Sequence, residues 1–127
     1  MIQLATFYVV AAESELRWPL AESLHTVTTH LEDDPQKAAA SQVNAWLARQ
    51  RWRGPESIEA EVTAWPIDSL PPRFTLAKRI LLGQTGEALA LLPGLLKQGE
   101  VTKDDLGRWT LFASLRGEPE FQRLATR

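Results

Sequence analysis

Trp18-Pro19-Leu20-Ala21-Glu22-Ser23-Leu24 returns near the other end of the chain as Trp109-Thr110-Leu111-Phe112-Ala113-Ser114-Leu115. A shorter version, Trp65-Pro66-Ile67-Asp68-Ser69-Leu70, stands between them. The last two copies are each followed by a proline and a phenylalanine, Pro72-Arg73-Phe74 and Pro119-Glu120-Phe121. Each is also preceded by a glycine with a hydroxyl residue three places on, Gly54 with Ser57 and Gly99 with Thr102. Self-similarity at a spacing of a few tens of residues marks stacked helical units. Such proteins bind other proteins far more often than they catalyse reactions.

Working outward, the pattern predicts helices throughout. Residues 1–16 combine strand-prone Phe7, Tyr8, Val9 and Val10 with helix-prone Ala11, Ala12, Glu13 and Glu15; with helical neighbours, they read as a helix. Pro19 fits the first turn of a second helix, and Leu20, Leu24, Val27 and Leu31 fall on one stripe. Asp34-Pro35 reads as N-cap and N1 of a third helix, with Ala39, Val43, Trp46 and Leu47 inward and Gly54 closing it. A short helix carrying Ile58 and Val62 stops at Trp65-Pro66, because a residue before proline avoids the α region. Leu70-Pro71-Pro72 is the stiffest stretch of the chain and the expected boundary between a first half, 1–70, and a second half, 72–127, of a single domain. The second half offers a helix from about Arg73 to Leu82 ended by Gly83, then one from about Gly86 that Pro93 should bend or split. Thr102 and Asp105 form a capping-box pattern ahead of a short helix, and Pro119 opens the last one. The fold class is therefore all-α: antiparallel helical hairpins in two related halves, as a short solenoid or bundle.

Leu82-Gly83-Gln84-Thr85-Gly86-Glu87-Ala88 resembles the turn of a tetratricopeptide repeat, in which a glycine ends helix A and an alanine five residues on lets helix B pack closely. The resemblance spans about a third of the chain, from Leu76 to Glu100, with Leu76 and Leu92 at apolar positions of the two helices. It departs from the family at Arg79, where an aromatic is usual, at Leu95, at Glu100 in place of the terminal proline, and at Pro93. Leu115-x-x-x-Pro119-x-Phe121 is similar to the end of many bacterial repeat-containing proteins. The resemblance implies a non-catalytic protein-binding module.

Composition bounds the alternatives. The chain has 127 residues, 44% hydrophobic and 24% charged, with a net charge of −2. That charge offers no general attraction for nucleic acid or an anionic membrane. The absence of cysteine excludes disulfides, thiolate metal sites and a cysteine nucleophile, and suits a reducing compartment such as the cytoplasm. The apolar run Met1 to Ala12 has no basic residue before it and is shorter than the roughly 20 residues a spanning helix needs.

No catalytic, cofactor or metal constellation emerges. His25 and His30, the only histidines, are five apart and so lie on different faces of a helix. Gly-x-Ser-x-Gly and phosphate-binding glycine loops are absent. The carboxylate pairs Asp33-Asp34 and Asp104-Asp105 stand where helices begin, and capping accounts for them.

Two surfaces remain as candidates for binding. Arg49, Arg51, Trp52 and Arg53 place three guanidinium groups and an indole at a helix end. They suit either a protein contact or, alternatively, a small anionic ligand or RNA. Leu89, Leu91, Leu95 and Leu96 cover more than half of one helix's circumference, so some are expected to be exposed and to meet a protein partner or a second copy. Trp18, Trp65 and Trp109 are expected to occupy one equivalent packing position in each copy of the motif.

Overall fold

The computed structural model describes residues 17–126, which form seven α-helices and two 3₁₀ segments. Among these residues there is no strand, and the fold is all-α. The helix expected over residues 1–16 lies outside the described residues. No helix among the described residues is long and apolar enough to cross a membrane. The chain divides into two compact units, Met1–Ala60 and Glu61–Arg127. The division falls upstream of the expected one at Pro71. The reason is local: the Lys78 ammonium donates to the carbonyls of Thr63 (3.1 Å) and Trp65 (2.9 Å), and the Trp65 ring meets Phe74 edge-on. These contacts fasten the segment ahead of Pro71 to the helix that follows it.

The first unit is an antiparallel hairpin of α1 (Arg17–Leu31) and α2 (Pro35–Arg53). Asp34 caps α2 as the sequence predicts, accepting from the amides of Gln36 (2.8 Å) and Lys37 (3.4 Å), with Pro35 at the first helical position. Gly54 ends it at φ 94°, ψ 160°, a region that favours glycine, and its amide donates to the Gln50 carbonyl. The 3₁₀ turn Pro55–Ser57 follows, leading into α3 (Glu59–Ala64), which spans the division between the units. Alanines dominate the buried positions of the hairpin: Ala21, Ala39, Ala45 and Ala48, joined by Val43 and Trp46. Small side chains let two helices approach closely.

Trp18 and Glu22 of α1 contact α2, while the expected stripe is part-buried at Leu20 and Leu24 and exposed at Val27 (48%) and Leu31 (66%). At 3.6 residues per turn, the Leu20–Leu24–Val27–Leu31 stripe points about 170° away from the Trp18–Glu22 face.

In the second unit, α4 (Pro72–Leu81) and α5 (Thr85–Gln98) form a second hairpin. Its turn closes with Gly83 at φ 75°, its amide on the Ile80 carbonyl and the Gln84 amide on Arg79 (2.9 Å), the pattern of a Schellman motif. Arg79 reinforces the turn through the Gln84 side chain (2.8 Å) and Glu87 (3.5 Å). Leu76, Ala88 and Leu92 are fully buried. Arg73 at the start of α4 pairs with Glu100 just beyond α5 (3.1 Å). Pro93 neither splits nor ends α5, which is one helix from Thr85 to Gln98. The proline removes one helical hydrogen bond, but its own ring is exposed. Burial of Ala88, Leu89, Leu92 and Leu95 elsewhere on the helix offsets that loss.

The chain then passes through Gly99 (φ 78°) to α6 (Lys103–Arg108), with the expected capping box of Thr102 and Asp105 in place. A 3₁₀ segment, Thr110–Leu115, buries Leu111, Phe112 and Leu115, and α7 (Pro119–Thr126) adds Phe121 against Phe112. The Arg116 guanidinium donates to the carbonyls of Leu106, Gly107 and Trp109, satisfying the C-terminal end of α6.

The three tryptophan segments do not share one conformation. Trp18 to Leu24 is α-helix, Trp65 to Leu70 is irregular, and Trp109 is extended ahead of a 3₁₀ segment. Trp65 follows the end of α3 at Ala64 and precedes Pro66, which disfavours helix there, whereas Trp18 and Pro19 both fall in the first turn of α1. Trp65 and Trp109 do have a common role, each packing edge-on against a phenylalanine, Phe74 at 6.2 Å and Phe112 at 5.9 Å. Trp18 has a different one.

Candidate functional site

The α1–α2 hairpin brings the start of α1 beside the end of α2, and a cluster of arginines and tryptophans assembles there. At its centre is Glu22. One carboxylate oxygen accepts from Arg49 Nε and the other from Trp52 Nε1, both at 2.8 Å. The Glu22 and Arg49 side chains are 15% and 17% exposed, so this is a largely desolvated ion pair. Trp52 itself is 46% exposed, as the sequence predicted for this one tryptophan.

Around this brace, guanidinium groups cover the indoles. Arg17 lies 4.6 Å and Arg51 5.4 Å from the Trp18 ring centre, and Arg53 lies 5.5 Å from that of Trp52. Attraction between a cation and the electron-rich ring face holds such stacks together. All three arginines are exposed, and among the described residues no carboxylate forms an ion pair with them. Among the described residues, four guanidinium groups and the carboxylate of Glu22 leave the cluster positive in a chain whose net charge is −2. Glu56, whose carboxylate folds back over Gly54, offsets only part of that excess.

Arg49, Arg51, Trp52 and Arg53, taken from the sequence as one group, are thus found together, but in two roles. Arg49 is an internal brace, while Arg51 and Arg53 face solvent on indole supports. Sequence reasoning missed Arg17, Trp18 and Glu22, which the hairpin adds from the other helix. One signal was present: the dipeptide Arg-Trp occurs at Arg17-Trp18, at Arg51-Trp52 and at Arg108-Trp109. Only the hairpin shows that two of these occurrences meet.

The leucine surface requires correction. Leu89 and Leu95 are core residues, 8% and 6% exposed, and Leu96 is half-buried. Leu91 alone is exposed, at 37%. The second unit turns the apolar side of α5 inward, so no continuous leucine face is left. A shallow groove of about 220 Å³ lies beside it, lined by Leu89, Pro93, Glu120, Arg123 and Leu124.

The remaining polar residues are accounted for locally. His25 is half-buried, and desolvation lowers its pKa below the ordinary 6.5, favouring the neutral imidazole. Asp34 and Asp105 cap helices, and Asp104 pairs with Arg108 one turn away at 2.9 Å. Among the described residues no group of three His, Asp or Glu side chains is placed to hold a metal ion. Comparison with protein families, curated proteins and solved structures finds no match, so the cluster is read from its own chemistry.

Proposed function

We propose that this chain is a non-catalytic protein-interaction or regulatory module, and that its contact surface is the arginine–tryptophan cluster of the α1–α2 hairpin. The observation that carries the reading is the set of exposed guanidinium groups, Arg17, Arg51 and Arg53, held on indole faces without a carboxylate partner among the described residues. Tryptophan and arginine are the residues most enriched where interfaces concentrate their binding energy. A two-helix hairpin supplies a rigid support for them, and the likeness of α4–α5 to a tetratricopeptide hairpin points the same way. The cysteine-free composition fits a role in the cytoplasm.

A photo-crosslinking amino acid placed at Arg53 in the full chain tests the reading. A protein captured there that also binds the purified wild-type chain stoichiometrically, and loses binding on Arg51→Glu, supports it. A captured partner whose binding is indifferent to Arg51→Glu refutes it, as does the lack of any reconstitutable partner. The alternative reading, a small anionic ligand or RNA on Arg49 to Arg53, draws on the same positive excess. Binding to an oligonucleotide that falls steeply with salt would favour it.

A further inference from the structure

We infer that the partner segment recognised by this cluster is an acidic stretch of polypeptide, whose carboxylates are received by Arg17, Arg51 and Arg53. The inference rests on the preceding reading that the cluster is the contact surface, and it adds the chemistry of what binds. A guanidinium held over an indole by cation–π attraction has no need of an acceptor for that contact, which leaves its N–H donors available. Those donors form a planar fork that matches a carboxylate in a bidentate manner. Arg51, 5.4 Å from the Trp18 ring centre, and Arg53, 5.5 Å from that of Trp52, both present such forks from the last turn of α2. The stacks also restrict side chains that would otherwise lose much rotamer freedom on binding.

Glu22 keeps the arrangement open to an outside anion. Both of its oxygens are engaged, by Arg49 and by the Trp52 indole N–H, and it makes no direct ion pair with Arg17, Arg51 or Arg53. It fixes the Trp52 ring on which Arg53 rests.

The same geometry disfavours single-stranded nucleic acid. Binding of that kind relies on open aromatic faces on which bases stack. Here Trp18 carries two guanidinium groups and Trp52 one, and the Trp52 N–H is already donated. At Trp18 a base would first have to displace a cation. The net charge of −2 also opposes a long polyanion more than a short acidic peptide, which interacts with the cluster alone.

The test is fluorescence anisotropy of the full chain with a labelled oligo-glutamate peptide, and in parallel with a labelled oligouridylate of equal charge. The peptide is expected to bind more tightly than the oligouridylate. Arg51→Gln/Arg53→Gln is expected to weaken peptide binding about tenfold or more, equivalent to about 1.4 kcal/mol. Both residues are exposed, so the variant should keep the wild-type circular dichroism spectrum and lose only the modest stability of two cation–π contacts. Arg51→Lys/Arg53→Lys retains charge but not the planar fork, and should also weaken binding several-fold. No peptide binding, tighter binding of oligouridylate, or lysine variants equal to wild type would each overturn the inference. If the crosslinked partner depends on Arg51 while the acidic peptide fails, the interaction reading survives and only the acidic chemistry falls.

Discussion

Replacing Glu22 by alanine removes the two hydrogen bonds that fasten the open end of the first hairpin, and the structure sets how much this should cost. The Arg49–Glu22 bond is 2.8 Å long between side chains that are 17% and 15% exposed. Exposed ion pairs contribute about 0.2–1 kcal/mol, whereas hydrogen bonds to charged groups contribute about 1.5–3 kcal/mol. The limited exposure places this bond toward the upper range, and its loss leaves the Arg49 charge largely desolvated with a partner removed. The Trp52 indole bond is on an exposed residue, and about 0.5–1 kcal/mol suits it. The two losses together predict a destabilisation of about 2–4 kcal/mol in urea denaturation followed by far-UV circular dichroism. Glu22→Gln keeps the acceptor for one donor but turns an amide N–H toward the other, and should cost about half as much. A double-mutant cycle with Arg49→Ala should give a coupling of about 1 kcal/mol or more. If Glu22→Ala costs less than about 0.5 kcal/mol, the level of an ordinary surface substitution, Glu22 is not the brace described here.

The corrected leucine surface makes a direct contrast: Leu95→Ala should cost about 2–5 kcal/mol and Leu91→Ala about 0.5 kcal/mol or less, and equal effects in urea denaturation would contradict the orientation of α5. Gly99→Ala meets open space at φ 78° and should cost about 1 kcal/mol, whereas Gly54→Ala, at φ 94° and ψ 160° with the Glu56 carboxylate in the way, should cost about 1–3 kcal/mol; thermal melts that reverse this order would refute the backbone argument. His25 has a folded pKa below its unfolded value near 6.5, so above that value both states hold a neutral imidazole and stability is full. As pH falls below 6.5 the unfolded chain binds the proton first, and stability declines until pH passes the lowered folded value. Urea midpoints measured between about pH 7.5 and about pH 5 should fall less steeply in His25→Gln, and identical slopes would place His25 in water.

Where helices begin and end was legible along the chain because those signals act over a few residues. Asp34 and Pro35, Gly54, Gly83, and the pair Thr102–Asp105 each satisfy backbone groups within five positions of themselves. Their chemistry is complete before any tertiary contact forms, and so is the all-α class that follows from it. Which side of each helix turns inward is another matter. Leu20, Leu24, Val27 and Leu31 form a good stripe on α1, yet the side directed at α2 is that of Trp18 and Glu22, because Arg49, Arg51 and Trp52 supply the partners there. On α5 several leucines surround the axis, and only packing within the second unit selected Leu89, Leu92 and Leu95 for the core and left Leu91 in solvent. The repeated tryptophan motif likewise acquired three conformations, since each copy meets different partners in the folded chain. The binding cluster followed the same division. The sequence alone determined Arg49, Arg51, Trp52 and Arg53 as a local group at a helix end. The tertiary structure decided that Glu22 holds one arginine and one indole, and that Arg17 and Arg51 meet on Trp18, because those partners lie about 30 residues apart and are joined only when the hairpin closes.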